Sequence, residues 1–177
     1  DMTWLKQNAD RLDAIFITHA HEDHVGAVPH FYADLKAPIY ARPFTANIAR
    51  GKLEDNGHPA EAVRVVSPWP QQTVAGPFSV GFLPISHSIP ESSALVIDSP
   101  YGRVIHTGDF KLDKTPIVGE PFDPELWAEV AKPGVKALVC DSTNIFSAAP
   151  GRSEASIADE VADLMKTAEG MVVATTF

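Results

Sequence analysis

The chain of 177 residues has one cysteine, no repeat, no low-complexity linker and no apolar run near membrane-spanning length. A lone Cys140 excludes an intrachain disulfide, and beside seven histidines it points to a reducing compartment, so a cytoplasmic location is expected. Cys140 closes the apolar run Ala137-Leu138-Val139-Cys140 and is expected to be a small buried hydrophobe. No stretch approaches the roughly 20 apolar residues that cross a bilayer. A charged n-region followed by an apolar h-region is absent too, so no membrane partner is expected. Positive charge is scarce, with 14 Lys and Arg against 23 Asp and Glu, a formal net charge of −9. Nothing global therefore attracts a polyanion, although a local cationic site still can. No serine or cysteine stands with a partnered base as a nucleophile would. What remains is globular composition, 45% hydrophobic and 21% charged, in a chain long enough for one domain with a sizeable core.

Strand and helix signals alternate. Residues 4–12 read as a helix, 14–18 as a buried strand, and Gly26 to Leu35 as a helix. Ile39 to Ala41 is a short strand, and Phe44 to Asn56 a helix ended by Gly57 and Pro59. Three strands are expected at Phe78 to Ile85, Ala94 to Asp98 and Arg103 to Thr107, the last two joined by the turn Ser99-Pro100-Tyr101-Gly102. Pro124 to Ala131 reads as a helix and Val135 to Cys140 as another buried strand. Ser153 is a candidate N-cap for a helix whose Ile157, Val161, Leu164 and Ala168 form one apolar stripe. Gly170 would end it, and Met171 to Thr175 would form a last strand. The expected fold class is α/β or α+β, with a strand-rich middle and helices covering the sheets.

The densest chemistry lies in Thr18-His19-Ala20-His21-Glu22-Asp23-His24, three imidazoles and two carboxylates in seven residues. After a strand, in extended backbone, side chains two apart point the same way, so His19 and His21 can grip one ion. Asp23 and His24 follow at the first bend and can reach a second. Imidazole nitrogen and carboxylate oxygen suit zinc, at about 2.0–2.2 Å. Two later segments extend the set. Ser86-His87-Ser88-Ile89-Pro90-Glu91-Ser92 places His87 just past a strand as a third nitrogen. His106-Thr107-Gly108-Asp109-Phe110-Lys111 places Asp109 past the next, where its two oxygens can bridge two ions. Glu22 is expected to face solvent or back the ligands, and His30, His58 and His106 to be surface or packing residues. Lys111 is expected to be a solvated lysine, with a local phosphate contact as the sharper alternative.

This set resembles the metallo-β-lactamase fold superfamily, with its His-x-His-x-Asp-His loop, later histidine and bridging aspartate. Thr18 to Gly26, His87 to Ser92, His106 to Lys111, Asp141-Ser142-Thr143-Asn144, Pro150-Gly151 and Ser153-Glu154 together are similar to the ribonuclease J family, in the β-CASP branch. The resemblance implies a partial αββα sandwich in which His19, His21 and His87 bind a first zinc, Asp23 and His24 a second, and Asp109 bridges them. It also makes Asp141 the acidic residue that supports a histidine near the leaving group. Residues 1–177 are then expected to be a metallo-β-lactamase-like domain incomplete at both ends. The family places strands before the His loop, and inserts the β-CASP domain after a strand like Met171 to Phe177. A last histidine ligand comes later still.

The implied activity is hydrolysis of RNA phosphodiester bonds by metal-bound hydroxide, exonucleolytic from the 5′ end and endonucleolytic, in RNA processing (ribosomal RNA included) and decay. Two ions about 3.5–4 Å apart lower the pKa of a shared water and neutralise phosphoryl charge. Asp109 and Asp23 would orient the nucleophile. The partners are RNA and, for the full-length protein, a further copy of itself in a homo-oligomer. The alternative is a small-molecule metallohydrolase acting on a thioester, lactone or lactam, for which the His loop alone suffices. A third reading is a metal-stabilised partner-binding domain. For residues 1–177 alone, one tightly held zinc, a weak second and little RNA cleavage are expected.

Overall fold

The structure, a computed structural model, describes residues 1–149 and 151–175. Pro150 and Phe177, part of two sequence expectations, lie outside the described residues, as does Thr176.

Two sheets stack face to face. The first contains β1 (Ile15–Phe16), β2 (Ile39–Ala41) and β3 (Val63–Val65), all parallel. Parallel neighbours need crossovers, and these are the helices α3 (Val28–Leu35) and α4 (Pro43–Asp55). In α4, Pro43 occupies the first turn, where its missing N–H costs nothing. Its buried Ala46, Ala49 and Leu53 lie on one helical stripe. That stripe packs on Ile17, Ile39, Ala41 and Val63 to make one core.

The second sheet is a meander, β4 (Gln72–Ala75), β5 (Phe78–Pro84), β6 (Ser93–Ser99) and β7 (Gly102–His106), with β8 (Val135–Val139) added parallel to β7. The helix α5 (Pro124–Ala131) makes that crossover. Asp123 caps it, Oδ1 accepting from the amides of Glu125 and Leu126, an arrangement typically worth about 1 kcal/mol. Val130, Leu126 and Trp127 of α5 pack on Leu83, Ala94, Val96 and Ile105. Val80, Phe82 and Leu95 face the other way, against Phe16 and Tyr40 of the first sheet. The layers therefore run helices, sheet, sheet, helix, the expected αββα sandwich.

Some expectations are corrected. The first helix stops early as α1 (Thr3–Gln7), because Asn8 turns back to the Leu5 and Lys6 carbonyls and a 3-10 turn follows. Strands β3 and β4 add to the expected set; at three and four residues each is too short for its pattern to mark a strand. A four-residue helix, α2 (Glu22–Val25), stands inside the His loop. Strand β8 and Cys140 are exposed, not buried, since among the described residues β8 is an edge strand paired with β7 alone. The last helix, α6 (Ile157–Thr167), forms after Ser153 caps a preceding 3-10 turn. Its apolar stripe is exposed at Ile157, Val161 and Leu164, and residues 171–175 are not a strand.

Candidate metal centre

Strands β5, β7 and β8 run in one direction, so the chain leaves all three at the same end of the sandwich. The end of β1 joins them there, through a hydrogen bond from the Ser93 amide to the Thr18 carbonyl at 3.1 Å. Residues after these ends are free of ladder geometry yet anchored by it. His19 follows β1, His87 follows β5, Asp109 follows β7 and Asp141 follows β8. The turn before Asp109 requires glycine: Gly108 has φ +60°, and an added Cβ would lie 3.0 Å from Thr18 Cβ.

Among the described residues, two groups of side chains could each hold an ion, His19 with His21 and His87, and His19 with His24 and Asp109. In each, the donor atoms lie within 4.8 Å of one another. His19 is common to both and fully buried. Its ring centroid is 4.8 Å from His21, 4.0 Å from His24 and 4.9 Å from His87. His21 Nδ1 and His87 Nε2 are 3.1 Å apart. Asp109 spans the groups, Oδ1 at 3.3 Å from His24 Nε2 and Oδ2 at 4.0 Å from His87 Nε2.

Two of these imidazoles, His19 and His87, are built to be neutral. Burial, then the neighbouring histidines His24, His87 and His21, pull His19 down to about 3. Burial and His21 also lower His87, against the opposing pull of Asp109. A neutral ring keeps one nitrogen lone pair, the form that binds metals. In His19, Nδ1 lies 3.0 Å from Thr18 Oγ1. With the proton on Nδ1 donated to that hydroxyl, Nε2 is left as a lone pair, and Nε2 is buried without a partner, as is His87 Nδ1. Buried polar atoms left bare are costly. A cation at this point satisfies the His19 lone pair and the clustered donors together, so the residues present fit a metal.

A sequence profile of the metallo-beta-lactamase superfamily matches residues 2–143. The chain belongs to the metallo-β-lactamase superfamily. A curated relative from Sinorhizobium meliloti named Ribonuclease J is 40% identical over the whole chain, which spans 31% of its length. One of the same name from Helicobacter pylori is 37% identical, with 26% of its length covered. The chain thus spans about a third or less of these relatives. A crystal structure of an Enterococcus faecalis protein is similar in fold, with TM-score 0.58 and 19% identity over 86% of this chain and 38% of its own.

Within this metallo-β-lactamase fold, the sequence candidates are not equally placed. His19, His21, His24, His87 and Asp109 converge as described. Asp23 sits at the rim with its side chain 76% exposed, Oδ2 3.5 Å from His24 Nε2, and belongs to neither group. Asp141 is partly buried, and its Oδ1 accepts from the Thr143 amide and hydroxyl at 2.8 and 2.6 Å. Those bonds hold its carboxyl below the usual aspartate range. Glu22 faces out and pairs with Lys52 at 2.6 Å. His30 is exposed, His58 packs near Tyr32, and His106 Nδ1 accepts from the Gly108 amide. Lys111 is neither free nor solvated alone, since its Nζ donates to Glu154 at 2.9 Å. The sharing of His19 between both groups had no signal in the spacing. It follows from α2, which turns His24 back over the His19 ring.

Proposed function

We propose that this chain carries the metal-binding part of a zinc-dependent ribonuclease that hydrolyses RNA phosphodiester bonds. The observation that carries the reading is the pair of donor groups meeting at His19 in a metallo-β-lactamase fold. Its RNA substrate is supported by relatives named Ribonuclease J at 37–40% identity over the whole chain. Those names favour RNA over a thioester, lactone or lactam.

In this reading His19, His21 and His87 would hold one zinc, while His24 and Asp23 would hold the second. Asp109, whose two oxygens face His24 and His87, would contribute a carboxylate to the same centre. Nitrogen and carboxylate donors suit zinc. Bound metal would make water nucleophilic near neutral pH and offset charge growing on phosphoryl oxygens. The chain's own residues set the conditions for that. Burial keeps His19 and His87 neutral, so no proton competes for their lone pairs. With Thr18 Oγ1 accepting a hydrogen bond from Nδ1–H, the His19 tautomer with a free Nε2 lone pair would be the metal-binding one. Asp109 and Asp23 orient the nucleophile at the open rim, and Asp141 supports the leaving-group side. Residues 1–177 act here as one metallo-β-lactamase-like part of a longer cytoplasmic enzyme, with a β-CASP domain and a further histidine ligand in the remainder. RNA decay and ribosomal RNA processing, by a homo-oligomer, complete the proposal.

The test is cleavage of 5′-monophosphorylated RNA by the full-length protein and by Asp109→Asn. The substitution keeps the side-chain shape and removes the bridging charge. Cleavage is expected to fall by about 100-fold or more, roughly 2.7 kcal/mol of transition-state stabilisation. A zinc-loaded wild-type protein that leaves this RNA intact overturns the proposal.

A further inference from the structure

His87 and Asp109 come from different strands, and something must set the distance between their loops. The contact is made through Ser86, 1% exposed and adjacent to His87 in sequence. Its carbonyl accepts from the Lys111 amide at 2.8 Å. Its Oγ donates to the Lys111 carbonyl at 2.8 Å and accepts from the Asp113 amide at 3.1 Å. Three hydrogen bonds thus join the residue before His87 to residues two and four beyond Asp109.

The far side of that contact is braced in turn. Asp113 is buried, with Oδ1 accepting from the Thr115 amide at 2.9 Å and Oδ2 from the Glu154 amide at 2.8 Å. The Glu154 carboxylate accepts from Lys111 Nζ at 2.9 Å and from the amides of Ile117 and Val118 at 3.1 and 3.3 Å. So the segment just before α6 fastens the loop after β7, and that loop fastens Ser86. None of these side chains belongs to either donor group, and each is tied up in hydrogen bonds within the loops. Metal–ligand distances tolerate only about 0.2 Å. Two donors on separate loops therefore need a rigid link if they are to serve one centre.

We propose that Ser86 is a positioning residue that locks the His87 loop to the Asp109 loop so that both donors meet one metal centre, with Asp113 and Glu154 bracing its partners. This rests on the reading of His87 and Asp109 as metal ligands.

The experiment titrates the metal-free full chain with cobalt(II), following the visible ligand-field absorption, and measures zinc affinity by calorimetry. Wild type, Ser86→Ala, Ser86→Thr, Glu154→Ala and His87→Ala are compared, with melting temperatures taken in chelator. Ser86→Ala is expected to weaken metal affinity by about 10–100-fold and to alter the cobalt spectrum. Ser86→Thr, which keeps the hydroxyl, should restore most of the affinity and the wild-type spectrum. If Ser86→Ala lowers only the melting temperature in chelator, with affinity and spectrum unchanged, the positioning role is overturned while the metal reading stands. If wild type takes up no cobalt, or His87→Ala binds it as wild type does, the metal reading falls and the positioning role with it. Should Ser86→Ala not fold, Glu154→Ala, whose side chain is 17% exposed, decides by the same comparison.

Discussion

Replacing His19 with leucine separates a ligand from a packing histidine in one experiment. His19 is fully buried, and its Nε2 meets no partner. An unsatisfied buried polar group costs about 1–3 kcal/mol, whereas a made hydrogen bond such as that to Thr18 contributes about 1 kcal/mol. Leucine fills a similar volume, so in chelator the variant should match the wild type or exceed it by about 1 kcal/mol, roughly 2–4 °C in melting temperature for a chain of this length. With zinc the order reverses. A ligand present at 100 times its dissociation constant stabilises the folded state by about 2.7 kcal/mol, roughly 5–10 °C here. His19→Leu removes a donor from both groups and should show no such shift. The assay is thermal unfolding of both proteins in chelator and in zinc. A zinc shift in His19→Leu equal to that of wild type would refute its role as a metal ligand. A loss of several kcal/mol in chelator would instead mark it as a packing residue.

Asp98 and Arg103 face each other across β6 and β7, joined at 2.7 and 2.8 Å by two bonds of one guanidinium. The Arg103 hydrogen bonds lower the Asp98 pKa, so the pair's stabilisation is full above the ordinary aspartate value and lost as pH falls through the lower folded value. Asp98→Asn should cost about 1 kcal/mol near neutral pH and flatten the acid limb of a stability profile measured by denaturant unfolding. For Asp141, asparagine keeps the Oδ1 acceptor used by Thr143, so the melting temperature should hold while kcat for RNA falls roughly tenfold or more. Unchanged kcat would reduce Asp141 to a turn cap.

Much of the fold was legible because it is written in local pattern. The helix at Pro124–Ala131 carries its cap, its first-turn proline and its apolar face within a dozen residues, and it falls where it was expected. The turn at Ser99 to Gly102 likewise set the register of β6 and β7. Strands β3 and β4 were not legible, since three or four residues hold strand geometry only when a neighbouring strand satisfies their backbone. The exposed β8 failed for the opposite reason. Its apolar run reads as buried, but burial needs a layer on top, and sequence pattern does not say whether one is there.

The sequence by itself determined the kind of chemistry. Histidine and carboxylate spacing in residues 19–24, with His87 and Asp109 downstream, named the candidate donors, because donor type is a property of the side chain alone. Only the tertiary structure decided which candidate donors lie close enough to hold one ion together. Four strand ends converge at one edge of the sandwich, α2 folds His24 over His19, and Ser86 ties the loop of His87 to that of Asp109. Those placements depend on contacts between residues tens of positions apart, and no local spacing encodes them. The same convergence left Asp23 at the rim, although it stands in the middle of the loop that first suggested a metal.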